Sequence, residues 1–231
     1  QQKLEGAKKD ILHRVSIAIS FENPHEAAQD AQRSINDLEA IRAGSNRVLG
    51  ELSELETQSE APEGIDLVKS DLAQISDDVN QFQSLSQVYI RKVQKVQVVI
   101  GQVQATENII ARLEEKVNSQ LNQATSNAEA MELKLRLLKN SKFELGAQDA
   151  LLKTLSEAAG EAKTLGQQVE KESNIPDPDD YIYGFTVQKL QDRLQALKDK
   201  LTAKVDELET EIPILKSQEK AAEDSQRGLH D

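Results

Sequence analysis

The chain has 231 residues, with 28 Lys and Arg against 40 Asp and Glu, a formal net charge of −12. Aromatic residues make up 3% and Cys and Trp are absent, which excludes a core built on large rings, a disulfide framework and a cysteine-based zinc site. So acidic a surface is repelled by phosphate backbones and by anionic lipid, so neither nucleic acid nor direct membrane binding is expected.

The remaining composition favours Gln, Glu, Lys, Leu and Ala, all good helix formers. Disorder is the competing reading of a polar, acidic chain, and the regular spacing of the apolar residues argues against it. Leu4, Ile11, Val15 and Ala18 fall at helical spacings and predict a first helix over 2–21. Asn23-Pro24-His25-Glu26 then reads as a helix start, with Asn as N-cap, Pro in the first turn and Glu closing a capping box. Ile35, Leu38, Ile41, Ser45, Val48, Leu52 and Leu55 carry the second helix to about residue 59, where Ala61-Pro62-Glu63-Gly64 breaks it.

A third helix opens at Ile65 and meets no proline or Gly-rich turn before Asn140. Gly101 alone interrupts it, at about 1 kcal/mol relative to Ala. Ser141-Lys142-Phe143-Glu144 matches a Ser-x-x-Glu capping box and predicts the next helix start, with that helix running to about Lys171. Pro176 and Pro178 punctuate a loop, and Asp177-Pro178-Asp179-Asp180 supplies an N-cap, a proline and two acids for the last helix. Pro213 is expected to kink or end it.

The segments match at long spacing. Leu4, Ile11, Val15 and Ala18 precede Ala124, Met131, Leu135 and Leu138 by 120 residues. Ile35, Leu38, Ile41, Val48 and Leu52 precede Leu152, Leu155, Ala158, Leu165 and Val169 by 117. The order helix, break, helix, break, helix repeats as well. The pattern predicts an all-α fold of two tandem left-handed three-helix bundles sharing a continuous connecting helix, an elongated rod. Expected domains are 1–97, with its first helix truncated, and 98–231; the start at Gln1 reads as that of a piece excised from a longer protein.

This architecture resembles the spectrin-repeat family over nearly the whole chain. Spectrin repeats commonly carry a Trp in their first helix, which is absent here, and the repeat is longer than is usual for spectrin. The pattern is more similar to the divergent repeats of giant cytoskeletal linkers, such as nesprin-type nuclear-anchorage proteins or plakins. The resemblance implies a coiled-coil structural rod, cytoplasmic and cytoskeleton-associated, at the nuclear envelope in a nesprin-type parent. Its implied partners are neighbouring repeats of the same chain and cytoskeletal proteins such as actin.

No convergent chemistry is legible. His13, His25 and His230 are isolated in sequence, and no Ser or Thr has a base at a useful spacing. No enzyme, cofactor or metal is expected, and the fragment should be monomeric. The most unusual stretch holds Asp177, Asp179, Asp180, Tyr181, Tyr183 and Phe185. It reads either as a partner-docking tip or weak calcium site, or as acids that cap the helix and rings that close a bundle end. Arg91, Lys92 and Lys95 form a basic cluster, as do Lys134, Arg136, Lys139 and Lys142. Each reads as a solvated face or as a surface for an acidic partner. Arg91, Val96, Val99, Gly101 and Val103 mark the expected inter-repeat junction. Two other function classes remain open: a membrane-associated helical crescent and a dimeric coiled-coil tether.

Overall fold

The computed structural model describes residues 1–19, 22–58 and 63–228. Five helices account for most of it: α1 Gln2–Val15, α2 Pro24–Thr57, α3 Ile65–Asn122, α4 Ala128–Ser173 and α5 Val187–Arg227, with a π-helical turn at Ile182–Thr186 leading into α5. No strand occurs among the described residues, and the chain is all-α. The expected break at 61–62 and His230 lie outside the described residues.

Several boundaries differ from expectation. Helix α1 stops at Val15, because Ser16 turns its hydroxyl onto the His13 carbonyl at 2.6 Å and draws the backbone out of the helix. Ala18 is therefore exposed, while Ile19, beyond the helix, is buried. Helix α3 does not run to Asn140; it ends at Asn122, and a short connector leads to α4. Asn127 caps α4, its side-chain oxygen accepting the Ala130 N–H at 2.8 Å. The Lys134 ammonium donates to the Leu121 and Gln123 carbonyls at 2.7 and 2.8 Å, satisfying orphan acceptors at the end of α3.

The Ser141–Glu144 box is consequently not a helix start. Ser141 is buried inside α4 and its hydroxyl donates to the Gln120 side chain at 2.7 Å. The 120-residue register fails with it, since Ala124 falls in the connector. Pro213 does not end the last helix either; α5 continues to Arg227. Beyond the proline, Lys216 pairs with Glu132 at 2.5 Å, and Glu219 accepts the Ala128 N–H at 2.9 Å. These contacts and the buried Ile212 offset the hydrogen bond that Pro213 lacks.

The chain forms two compact units interleaved along the sequence. The first comprises Gln1–Gly101 and Glu157–Gly184, the second Gln102–Ser156 and Phe185–Asp231. The expected division at 97/98 treats the units as consecutive segments; residues 157–184 group instead with the first.

In the second unit α5 runs parallel to α3, with Arg193 bridging Glu107 and Glu114 and Lys200 reaching Asn118. Helix α4 runs antiparallel to both. Lys116 pairs with Glu144, while Lys198 meets Asp149 and Lys139 meets Glu209. The seam holds Ile110, Val117, Leu138, Leu145, Leu155, Leu194, Leu201 and Leu208, all at or below 2% exposure. Each such side chain contributes about 1.5–3 kcal/mol by leaving water.

In the first unit α1 is parallel to α3, since Lys8 pairs with Asp78 and Tyr89 donates to the Arg14 carbonyl. Helix α2 is antiparallel to α3, through Arg42–Asn80 and Lys69–Glu56. Leu4, Ala7, Ile11 and Val15 bury the apolar face of α1 against this pair. The last turns of α4 flank α3, with Lys95 on Glu161. The expected stripe of α2 holds only in part: Ile35 and Leu38 are buried, Ile41 and Leu52 are half-buried, and Val48 and Leu55 are exposed. Helix α1 has 14 residues against 34 in α2 and covers only part of that face.

A buried ionic clasp as candidate functional site

Within α3, Leu85, Tyr89, Lys92, Val96, Val99, Val103, Thr106 and Ile110 recur at alternating spacings of four and three, and all are buried. This is the apolar seam of a packed helix. A lysine therefore occupies a core position. Its side chain is 0% exposed, so its charge requires a matched partner.

That partner is the segment following α4. Helix α4 ends at Ser173, and Asn174 adopts a left-handed conformation, φ 57°, that closes the helix as a C-cap. The Asn174 N–H donates to the Glu170 carbonyl at 2.8 Å, and the Ile175 N–H donates to the Ser173 hydroxyl at 3.2 Å. This reversal brings two acids back over α3. Lys92 Nζ lies 2.7 Å from Asp177 Oδ1 and 2.8 Å from Asp179 Oδ2; the two carboxylates are 6% and 0% exposed.

The cluster closes on itself. The Tyr183 hydroxyl donates to Asp177 Oδ2 at 2.9 Å, and the Asp179 N–H donates to Asp177 Oδ1 at 3.0 Å. Asp179 Oδ1 accepts the Ile19 N–H at 2.8 Å, which ties in the segment after α1. Asp179 Oδ2 receives the lysine charge at ion-pair distance but no aligned hydrogen bond. The ammonium also sits 5.9 Å from the centre of the Tyr89 ring. Burial, with the Asp179 charge as the next contribution, pushes the Tyr89 phenol up to about 12. Burial first, then the Asp177 charge and hydrogen bond, raises Tyr183 as well.

The sequence-predicted residues divide accordingly. Asp177, Asp179 and Tyr183 come together at Lys92, whereas Asp180 is exposed and Tyr181 and Phe185 are 50% and 72% exposed. Asp177 does cap the turn that follows it, through the Asp179 N–H. The solvated-face reading of the first basic cluster fails at Lys92, and that of the second fails at the buried Lys134; Arg91, Arg136, Lys139 and Lys142 are exposed. Of the expected junction residues, Val96, Val99 and Val103 are buried in α3, and Gly101 is exposed within an unbroken helix. His13 and His25 are exposed.

Gly166, which packs against Asp177, and Ile19 and Tyr89 are members of the site that sequence reasoning missed. Gly166 reads as a glycine embedded in a helix; no local signal marks it. Among the described residues no three His, Asp or Glu side chains gather to hold a metal ion, and no helix is long and apolar enough to cross a membrane. No family model matches the chain.

Proposed function

We propose that the chain is a non-catalytic rod or spacer segment, of spectrin-like three-helix packing, within a larger cytoskeletal linker. One observation carries this reading. The buried side chains of Lys92, Asp177 and Asp179 are engaged with one another and with the backbone N–H groups of Ile19 and Asp179, so that the cluster joins three separated chain segments. A catalytic site needs an acid, base or nucleophile facing a substrate. Here the same chemistry fastens helices.

Two further features support it. The order parallel, antiparallel, parallel among α3, α4 and α5 is that of a three-helix bundle with short connections. The 58 residues of α3 give that helix a contour of about 87 Å at 1.5 Å per residue. On this reading the partners are adjoining repeats of a longer chain and cytoskeletal proteins such as actin. The setting is cytoplasmic, or the nuclear envelope where the parent protein is anchored there.

Light scattering and small-angle scattering, with co-sedimentation on acidic vesicles, test the reading. We expect a monomer and no pelleting with lipid. A stable dimer at micromolar concentration would favour the coiled-coil tether. Pelleting with vesicles would favour the helical crescent.

A further inference from the structure

We propose that the Lys92–Asp177–Asp179 cluster is a latch that makes docking of α1 conditional on the 174–183 segment, so that the two open and close together. Helix α1 has 14 residues, a length at which an isolated helix is marginal in water. It persists by docking, and the segment that leaves it is held by the Ile19 N–H on Asp179 Oδ1. Asp179 in turn stays buried only while Lys92 neutralises it, because a buried charge left alone is strongly unfavourable. Both acids lie two residues apart in one non-helical segment. Withdrawal of that segment therefore removes both counter-ions of Lys92 and the acceptor of Ile19 at once.

The same geometry makes the cluster easier to open than the apolar seams. Asp179 Oδ2 lacks an aligned hydrogen bond when the cluster is closed, and partly satisfied polar networks are weaker than well-packed apolar ones. On opening, three charges regain water, whereas an opened Leu and Val seam gains nothing from exposure. The latch uses contacts within the first unit alone, so its failure would leave the spacer reading standing.

Hydrogen exchange on the full chain, read by mass spectrometry, tests the proposal. In the wild-type protein, 4–19 and 174–183 should exchange with a common opening constant, faster than 138–155 and 194–208. Lys92→Met should speed exchange of both segments by about a hundredfold and leave 138–155 and 194–208 unchanged. Asp179→Asn, which keeps the acceptor for Ile19 and removes the charge, should speed the same two segments by a smaller factor. Three results would overturn the latch. One is loosening of 174–183 while α1 keeps its wild-type protection. Another is wild-type protection of both segments equal to that of the seams. The third is loss of protection throughout the chain in both variants, which would make the cluster a requirement for folding.

Discussion

Asp177 Oδ2 occupies the place that a side chain on Gly166 would need: a Cβ built there would lie 1.9 Å from it and 3.0 Å from the Tyr183 hydroxyl. The carboxylate cannot simply swing aside, since Lys92, Tyr183 and the Asp179 N–H all hold it. Gly166→Ala should therefore destabilise the first unit by about 3 kcal/mol, although Ala is the better helix former. Gly101 is the control. Nothing lies within 4 Å of its virtual Cβ, and Gly101→Ala should stabilise by about 0.5–1 kcal/mol. Urea denaturation of the two variants gives the comparison. Equal and favourable shifts would show that the clasp does not sit against α4 as described.

Core truncation should follow burial and not seam position alone. Leu138 and Leu155 are fully buried, whereas Leu72, on an equally regular stripe, is half-buried. Leu138→Ala and Leu155→Ala should each cost about 2–5 kcal/mol. Leu72→Ala should cost less than either, because α1 leaves that part of the α2–α3 face open to water. A larger loss at Leu72 than at Leu155, read from denaturation midpoints at constant slope, would contradict the packing.

Alkaline pH should loosen the first unit. The phenol of Tyr89 is held neutral by burial and by the nearby Asp179 charge, its ordinary value near 10 moving up to about 12, and Tyr183 moves the same way. A folded-state value above the unfolded one means the stabilisation is complete below about pH 10 and disappears as pH rises through about 12. Tyr181 is also raised, chiefly by burial, but is half exposed. Absorbance titration should show Tyr181 ionising first and the other two only as the unit opens. Tyr89→Phe should flatten the pH dependence of stability in that window. Simultaneous titration of all three phenols near pH 10 in the folded protein would count against the site.

Much of the helical layout was legible, because it rests on periodicity: the starts of α2 and α3 and the loop around Pro176 follow from apolar spacing and proline placement. The clasp was half legible. Lys92 stands on a four-three seam between Tyr89 and Val96, so a lysine at a core position was visible once the seam was followed strictly. Its counter-ions were not. They arrive from 85 residues away along the chain, and local capping grammar explains those acids without any distant partner. The end of α3 was misplaced for a different reason. The connector holds neither Gly nor Pro, only the polar run Asn122-Gln123-Ala124-Thr125-Ser126-Asn127. The better-looking capping box at Ser141 outcompeted it, although a buried serine inside a helix satisfies the same pattern.

That connector depends on Lys134. With no glycine to close α3 in a left-handed turn, its terminal carbonyls are satisfied by an ammonium projecting from α4, which donates to Leu121 and Gln123. Burial lowers the lysine's affinity for its proton, with the Lys204 charge adding to the effect. The ammonium is retained for the two acceptors it serves. Lys134→Met keeps most of the apolar stem and removes the donor, leaving two carbonyls short of a partner at about 1–3 kcal/mol. Lys134→Arg keeps the charge but brings a larger, planar head to a site 6% exposed, and should restore only part of the loss. Hydrogen exchange in the Met variant should rise mainly across 118–132, while the first unit keeps its wild-type protection. Unchanged exchange across that stretch, or a stability loss no larger than that of exposed Lys142→Met, would mean that Asn127 and the polar run end α3 without help.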